Sequence, residues 1–122
     1  VVVLATSSPA DLVKRVIDQL DIGDLLDGAT TADDVKSSKP APAVFRTAMQ
    51  VGSVDPNRAV AVGDSVWDLL AARRASALGV GLLSGGYGRE ELERAGAYRT
   101  YDDPADLLRH LDECGVRPEP PV

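Results

Sequence analysis

Three short stretches carry the residue types that could do chemistry. The first is Gly63-Asp64-Ser65-Val66-Trp67-Asp68, which follows directly on the apolar run Ala59–Val62. Glycine lets the chain turn sharply, and acids four apart fall on one side of a first helical turn. Paired carboxylates at a strand tip offer the hard oxygen ligands that Mg²⁺ prefers. The same hexapeptide also reads as a capping box, with Ser65 as N-cap, Asp68 as its partner and Asp64 as a turn residue. The second stretch is Thr6-Ser7, between an apolar run and a helix start. Backbone N–H groups there favour a phosphate, and a hydroxyl adds a donor; a plain helix cap is the alternative. The third is Lys39, ahead of Pro40-Ala41-Pro42. Two prolines stiffen the turn and present the ammonium, a charge that would stabilise a phosphoryl group in transfer. A solvated surface lysine is the alternative reading.

Alternating strands and helices must hold these stretches in place. Val1–Ala5 reads as a buried strand, and Ser8-Pro9 with Asp11 as the cap of a helix whose inward face is Leu12, Val13, Val16, Ile17 and Leu20. Ala29–Thr31 reads as a short strand. Residues 33–42 form a polar loop, and Val44, Phe45, Ala48 and Met49 mark a helix closed by Gly52. Ala59–Val62 is the next strand, followed by a helix over Val66–Ala75 and a strand over Leu78–Leu83. Ser84–Gly88 is a loop, Glu90–Ala95 a helix stopped by Gly96, and Tyr98–Tyr101 a strand. Asp103-Pro104 caps a last helix with Leu107, Leu108 and Leu111 inward. Strands separated by helices imply βαβ units and a mainly parallel sheet covered on both faces. Sites in such sheets lie at the C-terminal strand ends, where all three stretches and the Gly85-Gly86 loop fall.

Composition bounds the function. The chain has 122 residues, one domain's worth. Thirteen Lys+Arg against nineteen Asp+Glu leave a net charge of −6, which argues against nucleic-acid binding and against a membrane surface. No apolar run is long enough to span a bilayer. One cysteine excludes an internal disulfide and a Cys-rich zinc site and suits a reducing, cytoplasmic location. One histidine, His110, leaves little for His-based chemistry; it is expected on the polar side of the last helix. Cys114 is read as a packing residue, Trp67 as packing on the neighbouring helix or, alternatively, shielding the metal site, and Arg73 and Arg74 as a solvated face. Residues 1–114 form the domain, and 115–122, with three prolines, read as a disordered tail.

The succession of the three stretches resembles motifs two, three and four of the haloacid dehalogenase superfamily. Residues Thr31–Pro42, Ala71-Ala72-Arg73-Arg74-Ala75, Gly79-Val80-Gly81 and Leu83-Ser84-Gly85-Gly86 look especially like its phosphoglycolate-phosphatase branch. The resemblance implies a three-layer Rossmann-like α/β core with a mainly parallel sheet. It implies that Thr6 and Lys39 are catalytic, and that Thr6, Ser7 and Lys39 bind phosphate. Asp64 would bind Mg²⁺ directly, and Asp68 would hold the metal's water shell or orient Lys39. The substrate would be a small phosphorylated metabolite, hydrolysed through an aspartyl-phosphate. Where this branch often has Asp after Lys-Pro-x-Pro, the chain has Ala43.

The larger departure is the family's Asp-x-Asp motif, which supplies the nucleophile and the general acid and base. No Asp-x-Asp stands at a strand end here. The expectation is a core lacking the family's first strand and its cap domain, unstable or aggregating alone, and with negligible turnover. The alternatives are a non-catalytic binding module of the same fold, and a phosphomutase or dehalogenase. Retention of Thr6, Lys39, Asp64 and Asp68 together argues against the binding module. The acid pair argues against metal-free dehalogenation.

Overall fold

The computed structural model describes residues 1–35, 39 and 41–115. The expected tail beyond Gly115, and the Pro40 that was to stiffen the lysine turn, lie outside the described residues. Five strands and five helices alternate: β1 (Val3–Leu4), α1 (Ala10–Leu20), β2 (Gly28–Ala29), α2 (Ala43–Val51), β3 (Val60–Gly63), α3 (Val66–Arg74), β4 (Leu78–Leu82), α4 (Arg89–Ala95), β5 (Ala97–Tyr101) and α5 (Pro104–Arg109). All strand pairs are parallel. They form two sets, β1-β2 and β3-β4-β5, with no hydrogen-bonded pairing between the sets among the described residues.

The period of two along β4 explains the layering. Gly79 and Gly81 face α3 and α4, where a Cβ would meet Leu69 and Leu92. Val80 and Leu82 face the other way, packing with Tyr101, Cys114 and Leu107. On the first side, Ala61 of β3, Ala59 just before it and Ala5 beside β1 pack on one cluster built from Val44, Phe45, Met49, Ala71 and Ala72. Helix α2 therefore spans both strand sets, and small residues on the strands let its larger ones approach.

The opposite layer stops short. It covers β4 and β5, but Val60 and Val62 of β3 are 37% and 46% exposed. The apolar face of α1 is bare as well: Val13 is buried, whereas Leu12, Val16 and Leu20 are exposed, contrary to the expectation of a buried stripe. Strand β1 shortens from the expected five residues to Val3–Leu4, with Val1 and Val2 exposed. A fully buried parallel strand needs neighbours on both sides, and β1 has one.

Other differences are local. Helix α1 starts at Ala10 with Pro9 at the N-cap position and no side-chain cap, because Ser8 is drawn into hydrogen bonds with Thr6. Leu108 is exposed rather than inward, since the six-residue α5 turns only Leu107 into the core. The expected cap at Asp103 forms, with Asp103 accepting from the Asp106 N–H at 2.8 Å. His110 is not simply solvent-facing. Its ring stacks on Tyr101 at 5.7 Å, and its Nδ1 lies 2.8 Å from the Asp106 carbonyl. Burial, then hydrogen bonds with Cys114 and Glu113, raise the Tyr101 hydroxyl above its ordinary range. Cys114 is buried against it, a packing residue as read. No helix is long and apolar enough to cross a membrane, among the described residues.

One buried side chain ties β2 to the turn after β1. The Thr30 hydroxyl donates to the Thr6 carbonyl at 2.6 Å and accepts from the Thr6 N–H at 2.8 Å, with Thr30 0% exposed. Thr30→Val keeps the shape and strands both backbone groups, so it costs about 1–3 kcal/mol, read as a lower urea midpoint. A second expectation concerns the bare edges of β1 and β3, each a template for pairing. The 122-residue chain by itself self-associates or melts without a cooperative transition; circular dichroism with gel filtration checks this, and a monomer melting cooperatively at high temperature would refute it.

Candidate active site

The site begins with Gly63, the last residue of β3. A Cβ there would collide with the Asp68 side chain, so glycine is what allows the first turn of α3 to fold back over the strand end. Ser65 then caps α3 by accepting from the Asp68 N–H at 3.2 Å, and Asp68 reciprocates by accepting from the Ser65 N–H at 3.2 Å. The capping reading of the hexapeptide is thus realised, and it does not use up Asp68. The same Oδ2 also accepts from the Asp64 N–H at 3.1 Å and from the Ser65 hydroxyl at 3.0 Å. The other oxygen, Oδ1, pairs with Lys39 Nζ at 2.6 Å.

Lys39 is therefore not a free surface lysine. Its ammonium is held by Asp68 and also lies 5.8 Å from the ring centroid of Phe45 on α2. A carboxylate on one side and an aromatic face on the other confine a side chain that is otherwise rich in rotamers.

Ser7, Lys39, Asp64 and Asp68 line one open cleft of about 370 Å³, together with Ser65 and Trp67. Four of the five candidate residues, drawn from three chain segments, are brought together at strand ends. Thr6 is not among the lining residues. Its hydroxyl accepts from the Ser8 N–H at 3.1 Å and donates to the Ser8 hydroxyl at 3.0 Å. Thr6 thus shapes the turn that presents Ser7, and Ser7 makes no hydrogen bond to any described residue. Trp67 departs from its expected packing role: it is 51% exposed at the cleft.

The Asp64 carboxylate has no hydrogen-bond or ion-pair partner among the described residues. It is an exposed hard oxygen donor beside a filled one. No group of three or more His, Cys, Asp or Glu that could hold a metal occurs among the described residues. That donor set still fits Mg²⁺, which is commonly held by one or two carboxylates, with water and phosphate oxygens completing its octahedron.

Two residues beyond the five candidates support the site, one of them in the Gly85-Gly86 loop already marked at a strand end. Thr30 fixes the Thr6 backbone, as above, and only its place just past a short strand marks it. Gly85 lies in the turn after β4, pressed on Asp64: a Cβ would clash with the Asp64 carbonyl oxygen and come within 2.7 Å of its Cβ and Cγ. The Gly85-Gly86 loop falls at a strand end in the sequence, but the close approach is visible only in three dimensions.

The fold and cleft define a class: a parallel α/β core with an acid pair and a lysine at the C-terminal strand ends. The model of haloacid dehalogenase-like hydrolases matches residues 1–76, and the chain belongs to that family. It is 38% identical over 81 residues to validoxylamine A 7'-phosphate phosphatase of Streptomyces hygroscopicus subsp. limoneus, covering 66% of this chain and 38% of the relative. It is 30% identical over 104 residues to phosphoglycolate phosphatase of Rhodospirillum rubrum, covering 85% of this chain and 43% of the relative. Among solved structures, a hydrolase from Pseudomonas syringae superposes with a TM-score of 0.68 at 53% identity, over 70% of this chain and 41% of that one. β-Phosphoglucomutase from Clostridium difficile superposes with a TM-score of 0.70 at 24% identity, over 81% and 42%, a likeness of fold alone. The chain thus spans less than half the length of each of these proteins.

Gly85→Ala must displace Asp64 or its own turn. The expected result is a fall in Mg²⁺ affinity of roughly tenfold or more, with little loss of helix, because the clash is with a candidate ligand and not with the core. Titration calorimetry with Mg²⁺, beside far-ultraviolet circular dichroism, checks both halves.

Proposed function

We propose that this chain supplies the phosphate- and metal-binding part of a Mg²⁺-dependent phosphomonoesterase acting on a small phosphorylated metabolite. The observation that carries the reading is the cleft where Lys39, Asp64 and Asp68 meet Ser7. A scaffold has no need to hold a lysine at 2.6 Å from a carboxylate and leave a second carboxylate without a partner beside it.

Each residue then has a task. The free donors of Ser7, ahead of α1, bind the phosphoryl oxygens, and Thr6 contributes by fixing that turn. Lys39 neutralises charge on the phosphoryl group and on the attacking carboxylate. Asp64 holds the metal, whose charge lowers repulsion between nucleophile and phosphate when it is bound. Of the two roles open to Asp68, orienting Lys39 is the one its hydrogen bonds support, with any metal role exerted through water.

The chemistry proceeds in two displacements. An aspartate on a strand outside this chain attacks phosphorus, the ester P–O bond breaks, and the alkoxide leaves with a proton from a neighbouring acid. Water, passing a proton back to that neighbouring group, then attacks the acyl phosphate and releases inorganic phosphate, restoring both the aspartate and the acid. The absence of hydrogen-bonded pairing between the two strand sets, among the described residues, supports this placement: a parallel strand joining β1 to β3 would end beside Ser7 and Asp64. The 122 residues without such a strand have no phosphoryl acceptor and turn over negligibly.

In the protein that includes that strand, Lys39→Ala and Asp64→Asn each lower Mg²⁺-dependent hydrolysis of p-nitrophenyl phosphate by about a hundredfold or more. Asp64→Asn also weakens Mg²⁺ activation, read as a higher half-saturating concentration. Robust hydrolysis that survives Lys39→Ala would show the mechanism to be wrong.

A further inference from the structure

Lys39 has two requirements that conflict. To act on a phosphoryl group its ammonium must be held still, and it must keep a charge to offer. Asp68 meets only the first. Its Oδ1 fixes the ammonium at 2.6 Å, and in doing so sets a negative charge against it. A second group also holds Lys39. The ring centroid of Phe45 lies 5.8 Å from Nζ. An aromatic face attracts a cation through its quadrupole and carries no net charge. It confines the ammonium without neutralising it.

The fold gives that ring a fixed seat. Phe45 stands in the first turn of α2, which begins at Ala43, and is 8% exposed. It belongs to the buried cluster that takes in Ala71 and Ala72 of α3, Ala61 of β3 and Ala5 beside β1. Asp68 lies on α3, Asp64 follows β3, and Ser7 follows β1. The ring thus ties Lys39 to the same core that positions the rest of the cleft. Phe45 is not itself among the residues lining that cleft. Packing alone does not account for the residue type. Leucine or methionine would also fill apolar space between helix and strands, and neither offers an ammonium a π face.

We propose that Phe45 is a positioning residue for phosphoryl transfer: its ring face, and not only its bulk, sets Lys39 where its charge meets the phosphoryl group. The proposal rests on the phosphomonoesterase reading above. It gives Phe45 no contact with substrate or metal, so its effect belongs in kcat more than in KM or in Mg²⁺ binding.

Fluorination separates the ring face from its bulk, because each fluorine withdraws density from the face and adds little volume. In the protein carrying the Asp-x-Asp strand, Phe45 is replaced in turn by 4-fluoro-, 3,5-difluoro- and 3,4,5-trifluorophenylalanine. The substrate is p-nitrophenyl phosphate at saturating Mg²⁺. The expected kcat falls at each step, by about fivefold across the series. KM and the half-saturating Mg²⁺ concentration move by less than about twofold, and the melting temperature does not fall. Phe45→Leu lowers kcat at least as far as the trifluoro ring does. In the Lys39→Ala background the fluorine series is flat, since the ring has no ammonium to act through. A kcat indifferent to fluorine while Lys39 is present, or a slope that persists without Lys39, overturns the assignment. So does a melting temperature that falls in step with kcat, which marks a packing role. A large loss in Lys39→Ala beside a flat fluorine series removes only the role of Phe45. Hydrolysis by Lys39→Ala at the parent rate removes the phosphomonoesterase reading as well.

Discussion

The carboxylate of Asp68 is the joint on which the site depends. One of its oxygens gathers the N–H groups of Asp64 and Ser65 and the Ser65 hydroxyl; the other grips the ammonium of Lys39. These contacts tie the end of β3, the N-terminus of α3 and the loop carrying Lys39 into one body. Two effects oppose each other here. At 8% exposure, an unpaired carboxylate would carry a desolvation penalty. Hydrogen bonds from the turn and the charge of Lys39 offset it, and this pairing holds two charges a fixed distance from Asp64. Removing Asp68 would therefore free Lys39 and loosen the Asp64 turn together, which makes it a positioning residue for both.

Around that joint, close approach is the second constraint. Asp68 can fold over the strand end only because residue 63 has no side chain, and the turn after β4 can brace Asp64 only because residue 85 has none. One glycine makes room for Asp68 and the other for Asp64. Their backbone torsions need not be unusual: neither is among the residues with positive φ. Space, and not conformational freedom, is what these positions require.

Much of this was legible in the residues, for a definite reason. Strand tips followed by turn residues and helix starts are local signals, so the βαβ succession, the hexapeptide and the capping box at Ser65 could be read directly. The ends of elements moved by a residue or two, as at Val60–Gly63 and Val66–Arg74. What escaped depended on partners far along the chain. Thr30 looks like any short-strand threonine until it meets Thr6, 24 residues away. Ser8 looks like an N-cap until Thr6 takes its hydrogen bonds. Trp67 looks like a packing residue because a large ring gains from apolar burial, and this one finds a cleft.

The apolar stripe of α1 shows the same limit from the other direction. Its spacing is sound, and Leu12, Val16 and Leu20 still stand exposed. So do Val60 and Val62 on β3, on the side of the sheet that α5 and Cys114 cover only farther along. A stripe specifies that something apolar covers it; it does not specify that the cover lies within the same 122 residues. The relatives are more than twice as long as the stretch they share with this chain in both curated cases compared. On the phosphomonoesterase reading proposed above, the bare stripe, the uncovered β3 and the unpaired edges of β1 and β3 call for one cover. A further strand between the two sets, with apolar chain beside it, would cover all three and bring an acid to the one place where Ser7, Lys39 and Asp64 already converge.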